Sequence, residues 1–219
     1  MTDCCSSGFL AAAAGNFDAA AASAERTRYA RHGPLPSAAL LRDGVLAQGP
    51  PGSVLDVGCG IGSLAFELLA AGVPRAVLVD AAPAYVEAAG REVAARGLGE
   101  RAAVQAGDLV EIAGQLPRCE AVVMDRVVCC FPQHAPLLSA AVGRAERLFA
   151  FSYPHDRWYM RLADRTLNAQ RAWRGNPFRT AIHDPAAMAA VIEHAGFRRV
   201  HRATTLAWCV DVYAKHGVD

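Results

Sequence analysis

The sequence predicts an α/β fold: a doubly wound, seven-stranded, mostly parallel sheet with an antiparallel last strand, helices on both faces and an N-terminal helical lid. Three observations lead there. From Ser53 onward short apolar runs alternate with helical segments, the pattern of parallel strands joined by crossover helices. Residues 54–62, Val-Leu-Asp-Val-Gly-Cys-Gly-Ile-Gly, read as a buried strand running into a glycine loop, with helical composition behind it. The last two apolar runs have no helix between them, which predicts a closing antiparallel hairpin at one edge.

Taken in order, residues 16–31 are helical in composition and Gly33-Pro34-Leu35-Pro36 ends that helix. A second helix is expected over Pro36–Leu46, and Gly49-Pro50-Pro51-Gly52 turns the chain into the first strand, Ser53–Val57. A helix over Ser63–Ala71 follows. Strand two is Ala76–Asp80, with a helix over Pro83–Arg96, and strand three is Ala102–Ala106. Strand four, Ala121–Asp125, is apolar enough to be buried on both faces. Next come a helix over Ala135–Arg144, strand five at Arg147–Ser152 and a long amphipathic helix over Asp156–Arg174. A loop through 176–184 leads to a helix over Pro185–Ala195, ended by Gly196. Phe197–Arg202 and Thr205–Tyr213 make the closing pair.

Bulk properties exclude several classes. With 219 residues, 53% of them hydrophobic, the chain supports one domain with a full core. A formal net charge of +1 offers no global field for nucleic acid or a membrane surface. No apolar run reaches the roughly 18 residues of a membrane span. The alanine-rich stretch 11–24 lacks the basic n-region of a signal peptide and is interrupted by Asn16 and Asp18, so a cytoplasmic protein is expected. Seven cysteines, two pairs of them adjacent, do not suggest a disulfide framework there.

The glycine loop carries the chemistry. Gly58, Gly60 and Gly62 remove every second Cβ, so backbone can approach a ligand closely. Dinucleotide sites space their glycines one residue wider and set them over a pyrophosphate. Here Asp56 lies two residues ahead of the first glycine, where a carboxylate repels phosphate and suits an ammonium group. In Asp56, Gly58, Gly60 and Gly62 the chain resembles the class I S-adenosylmethionine (SAM)-dependent methyltransferases, whose first motif is acid-x-G-x-G-x-G. The resemblance spans about residues 53–213. It implies residues 1–50 as a helical cap or lid and 51–219 as a Rossmann-like SAM-binding domain. SAM is then the cofactor and S-adenosylhomocysteine (SAH) the product.

The resemblance implies a cofactor site at the carboxyl ends of the strands. Asp56, Gly58, Cys59, Gly60 and Gly62 form its first wall. Asp80 with Ala81 accepts from ribose hydroxyls. Gly107, Asp108 and Leu109 contact adenine, and Asp125 with Arg126 holds the methionine end. Tyr29 and Arg28, from the N-terminal helix, meet the cofactor carboxylate. Asp56, Asp80 and Asp108 each have a structural alternative as a turn or cap residue, and Asp125 has one as a buried acid paired with Arg126.

The acceptor is read from the segments after strands four and five. Tyr153, His155 and Asp156 follow strand five, with His155 as a candidate general base oriented by Asp156 and Asp156 alternatively a helix cap. Cys129 and Cys130 follow strand four, either as small buried hydrophobes or as soft ligands. With Cys4 and Cys5 they resemble, by placement alone, the cysteines of arsenite methyltransferases. The surrounding motif of that family is absent, and so is zinc-type spacing, so no metal site is assigned. The stretch Phe178–Pro185, with His183, loosely resembles magnesium-protoporphyrin O-methyltransferases. The expected activity is in-line methyl transfer to an O, S or N nucleophile of a small molecule by a monomer or homodimer, with no nucleic-acid or membrane partner. A thiol or metalloid acceptor is one alternative, and a non-catalytic SAM-binding protein is another. A nicotinamide oxidoreductase lacks its glycine spacing here.

Overall fold

The computed structural model describes residues 12–217. A short helical turn over residues 12–16 precedes α1 (Ala19–His32), which is capped by Asp18 accepting from the Ala21 amide. The remaining elements are α2 (Pro36–Leu46), β1 (Ser53–Val57), α3 (Ser63–Ala70), β2 (Arg75–Asp80), α4 (Pro83–Ala95), β3 (Ala102–Ala106) and the one-turn α5 (Leu109–Ile112). Then come β4 (Cys119–Met124), α6 (His134–Val142), β5 (Ala145–Pro154), α7 (Trp158–Trp173), α8 (Pro185–His194), β6 (Phe197–Thr204) and β7 (Trp208–Lys215).

One seven-stranded sheet results, in the order β3-β2-β1-β4-β5-β7-β6. The first five strands pair in parallel; only β7, between β5 and β6, runs against its neighbours. Strand order reverses between β1 and β4, so a crevice opens there at the carboxyl ends. Ala121 to Met124 of β4 are fully buried, as a central parallel strand covered on both faces must be.

Two apolar clusters fill the faces. Leu41 and Val45 of α2, Leu64 and Leu68 of α3, and Ala89 and Val93 of α4 pack on one side. Leu137 and Leu138 of α6, Met188 and Ile192 of α8, and Phe149, Phe151 and Tyr213 pack on the other. A smaller cluster joins Ala22 of α1 to Ile61, Ala82, Tyr85 and Ala88, with Phe17 packed against it. The residues ahead of β1 therefore divide: α2 builds core on the sheet, while α1 and Phe17 cover the carboxyl ends.

Several boundaries move by a few residues, and three of the shifts bear on the site. Strand five extends from Arg147–Ser152 to Ala145–Pro154 because Tyr153 and Pro154 pair with Cys209 and Trp208 of β7. The last strand begins at Trp208 rather than Thr205, because Thr205 Oγ1 accepts from the amides of Ala207 and Trp208 and makes that stretch a turn. Strand four ends at Met124, leaving Asp125 just beyond it.

Gly62 is the hinge between β1 and α3. Its φ is +92°, and an added Cβ would lie 2.7 Å from Leu78 and Phe66. Gly62→Ala combines a left-handed penalty of about 1–2 kcal/mol with overpacking of about 1–3 kcal/mol. Thermal unfolding is expected to show a loss of several degrees in Tm, with or without ligand.

Candidate active site

A cavity lies at the β1/β4 switch point, lined by the glycine loop and by Asp80, Asp108, Asp125, Arg126, Cys130, Phe131, Phe17, Glu25 and Tyr85, among others. Each wall has a local cause. β1 delivers Asp56, 1% exposed, whose Oδ2 accepts from the Ala65 amide at 3.2 Å and pins the start of α3. Gly58 and Gly60 then turn at φ +62° and +57°. Asp80, at the end of β2, accepts from the amides of Gly60 (2.9 Å) and Ala82 (2.8 Å), tying the glycine loop to the start of α4. Gly107 donates to the Asp80 carbonyl, and Asp108 caps α5 through the Val110 amide at 2.9 Å. Ser152 of β5 fixes the segment after β4: its hydroxyl donates to Asp125 at 2.6 Å and accepts from the Arg126 amide at 2.8 Å.

The electrostatics are one-sided. Asp56, Asp80, Asp108, Asp125 and Glu25 line the cavity, against one lining cation among the described residues, Arg126. Burial is the first cause that raises the carboxyl pKa of Asp56, and repulsion from Asp125, Asp80 and Glu25 adds to it. Burial also pushes up Asp80, Asp108 and Asp125. Such a group of acids favours a cation with several donors and disfavours phosphate.

The structure brings together Asp56, Gly58, Cys59, Gly60, Asp80, Ala81, Gly107, Asp108, Leu109, Asp125, Arg126 and Cys130 at this cavity. Other residues expected in the site lie elsewhere. Gly62 sits beneath the loop against Leu78 and Phe66. Tyr29 is one helical turn too far along α1; it donates to Glu67 at 2.9 Å, and burial first, with that hydrogen bond second, pushes its phenol up to about 12. Arg28 donates to the Gly33 carbonyl on the outer side of α1. Tyr153 is within β5, where it is buried, donating to the buried Asp211 and accepting from Arg202, whose side chain reaches the surface. Its phenol is held far above its ordinary value, by burial first and Asp211 second.

His155 spends both ring nitrogens away from the cavity, Nε2 on the Thr205 carbonyl (3.0 Å) and Nδ1 on Cys209 Sγ (3.1 Å). Asp156 does not orient it, pairing instead with Arg161. Asp125 pairs with Ser152, and Arg126 turns at φ +61° to place its guanidinium 5.4 Å over the Trp208 ring.

Cys129 and Cys130 occupy a tight turn after Arg126, their sulfurs 3.9 Å apart. Cys129 is buried and its carbonyl accepts from Ala181, whereas Cys130 lines the cavity. The Cys129 thiol hydrogen-bonds Cys130 and, with Arg126 and Arg171, makes Cys130 the more acidic of the pair. His183 holds this turn from behind, donating from Nε2 to the carbonyls of Val128 and Phe131. Cys59, the remaining cysteine at the cavity, is an inert buried thiol pushed up by desolvation. Cys4 and Cys5 lie outside the described residues.

Glu25, Phe17 and Tyr85 reach the cavity without having been expected there. Glu25 comes from α1, its carboxylate raises the Tyr85 phenol pKa after burial does, and it sits 3.2 Å from the Cβ position of Gly60. The sequence signal was present: Glu25 is four residues ahead of Tyr29, on the same helical face.

Residues 54–149, under half of the chain, match a family model described as a methyltransferase domain. The fold is the class I, Rossmann-like one, and the matched segment is similar to a methyltransferase domain. Among solved structures, the chain is similar to magnesium protoporphyrin IX methyltransferase from Synechocystis PCC 6803 with bound SAH. The TM-score is 0.66 at 18% identity, over 82% of each chain. A putative sarcosine dimethylglycine methyltransferase from Galdieria sulphuraria matches at TM-score 0.67 and 12% identity, over 84% of this chain and 87% of that one. An O-methyltransferase family protein from Burkholderia thailandensis matches at 0.67 and 16%, over 82% and 55%. No curated protein matches the chain in sequence. No helix among the described residues is long and apolar enough to cross a membrane.

Proposed function

We propose that the protein methylates a small molecule at an oxygen, sulfur or nitrogen nucleophile held against the wall formed by Arg126, Cys130 and Phe131. The observation that carries this reading is the ring of four aspartates and Glu25 around a glycine loop, a cradle matched to SAM. In it Asp56 and Glu25 hold the ammonium, Asp80 the ribose hydroxyls, Asp108 with the Leu109 amide the adenine, and Asp125 the sulfonium side. Bound there, the cofactor supplies an electrophilic methyl group. The chain's part is to position the acceptor in line with it and to exclude water, for which Phe17, Leu35, Val127 and Phe131 provide apolar cover.

With His155 and Tyr153 engaged elsewhere, the groups at the cavity able to take an acceptor proton are Asp125 and Cys130. Isothermal titration is expected to show one site for SAM and one for SAH. Labelled SAM should then pass its methyl to a member of a panel of small carboxylates, alcohols, phenols, amines and thiols. Absence of binding by either cofactor form sinks this reading, and binding without transfer to any class leaves a SAM-binding protein.

The 3.9 Å separation of Cys129 and Cys130 favours a second reading, a thiol or metalloid acceptor. Two thiolates sharing one soft ion, with ion–sulfur bonds of about 2.3 Å each, stand less than about 4.6 Å apart, and the observed separation lies inside that reach. Titration with arsenite, followed by thiolate absorbance, is expected to give a signal lost in Cys130→Ser if that reading holds. An unchanged signal in the variant removes it.

A further inference from the structure

Helix α7 is built inside out. Of its 16 residues none is buried, and only Met160, Asp164, Asn168 and Arg171 are even half-covered. Three of these four are polar and are spent on the 176–180 loop. The Thr180 hydroxyl donates to Asp164, the Thr180 amide donates to Asn168 Oδ1, and Arg171 donates to Thr180 Oγ1 at 3.1 Å. The opposite face carries Trp158, Leu162, Ala169 and Trp173, one stripe by helical spacing. Trp158 is 77% exposed, Leu162 57% and Trp173 85%. Two of the chain's three tryptophans thus stand in solvent on one line, about 22 Å apart along the helix.

Charge is segregated onto the same segment. Residues 157–179 hold six arginines against one aspartate, although the whole chain is at +1. Arg157, Arg161, Arg165 and Arg174 are exposed around the apolar stripe, at its ends and along one flank. Arg161 pairs with Asp156; Arg157, Arg165 and Arg174 have no acidic partner within ion-pair distance among the described residues. A near-neutral total conceals this patch.

We infer that α7 is a surface-docking helix that lays its Trp158–Leu162–Trp173 ridge into the interface of an anionic lipid bilayer. An amphipathic helix with tryptophan and leucine on one face and arginine beside them has the composition of an interfacial helix. Long arginine side chains can reach back to lipid phosphates while the ridge enters the acyl boundary. The ridge is convex, so a protein partner would need a matching groove, whereas a fluid interface conforms to it. A second copy fits poorly: a two-fold pairing of α7 with itself brings like flanks together, setting Arg161 and Arg165 against their own copies. α7 follows β5 at its carboxyl end, the cavity end of the sheet. This surface stands independently of which acceptor is methylated.

The test uses the full chain with vesicles of phosphatidylcholine alone and with about one-third phosphatidylglycerol. Co-sedimentation is expected only with the anionic vesicles, with a blue-shifted tryptophan emission quenched by brominated acyl chains and release at high salt. Joint replacement Trp158→Ser and Trp173→Ser is expected to lower partitioning at least tenfold without moving Tm, since both side chains are in solvent. Arg165→Glu with Arg174→Glu is expected to do the same, each lost arginine being worth about fivefold. Equal binding to neutral vesicles, no binding, or no bromolipid quenching overturns the inference. So does a dimer in sedimentation velocity that dissociates on replacing Trp158 and Trp173, which assigns the ridge to a second copy.

Discussion

Asp80→Ala is expected to weaken SAM and SAH by the same factor, at least tenfold and approaching a hundredfold. The carboxylate has two tasks. It accepts from the amides of Gly60 and Ala82, and so sets the spacing between the glycine loop and α4 before any ligand arrives. Its remaining lone pairs face the cavity, where ribose hydroxyls would donate. Charge-assisted hydrogen bonds of this kind are worth about 1.5–3 kcal/mol each. A tenfold loss in affinity corresponds to about 1.4 kcal/mol, so even one such bond to the ligand accounts for the lower bound. Ribose is common to both cofactor forms, whereas the sulfonium charge belongs to SAM alone. A deficit confined to SAM would therefore assign Asp80 an electrostatic role instead, and unchanged affinity for both would remove it from the site. Asp80→Asn is expected to fall between: the amide keeps one acceptor oxygen but presents a donor to one of the two backbone N–H groups.

What the sequence made legible was whatever depends on neighbours along the chain. Strand β1, which carries Asp56, and the glycine loop are ten consecutive residues, and their placement follows from local geometry. Asp80 and Asp108 were readable because strand ends in a parallel sheet share one edge, so order alone places them together. Helix α1 meets the cavity through an earlier turn than the one expected. Glu25 meets the loop, while Tyr29, four residues on, reaches Glu67 beside Arg42. Which turn of a helix touches a cavity depends on its axial position, and no local pattern records that.

His155 shows the other limit. A histidine after a strand beside an aspartate has the pattern of an oriented base. Yet β5 runs two residues further at its carboxyl end than expected, so the ring falls against the β6–β7 turn and both nitrogens are taken. The extension comes from pairing with β7, some fifty residues away. His183, which lies in the stretch quoted for a loose family resemblance, also clamps the Cys129–Cys130 turn in place.

SAM binding is expected to strengthen as pH rises through the weakly acidic range and to release protons. Asp56, Asp80 and Asp125 all have carboxyl pKa values raised by burial first, and for Asp56 neighbouring carboxylates add to the shift. For an acid whose folded pKa lies above its unfolded value, the protonated form is the one folding favours. That stability is fully present below the unfolded pKa, near 4, and is lost as pH rises through the folded values. The free protein should therefore lose stability over that interval as the cluster acquires charge. A cationic ligand reverses the preference, because it stabilises the ionised carboxylates it touches.

The increase in Tm on adding SAM should accordingly grow with pH, and groups remote from the site cancel in that difference. Titration at one weakly acidic pH in two buffers of different ionisation enthalpy should give different apparent enthalpies, from which proton release is counted. SAH, lacking the sulfonium, is expected to release fewer protons than SAM, and Asp56→Asn to release fewer with either. A buffer-independent enthalpy, or a Tm increment that shrinks as pH rises, would mean that the cluster is already ionised in the free protein. The desolvation argument for Asp56 would then fail, although the site assignment itself would stand on the Asp80 result.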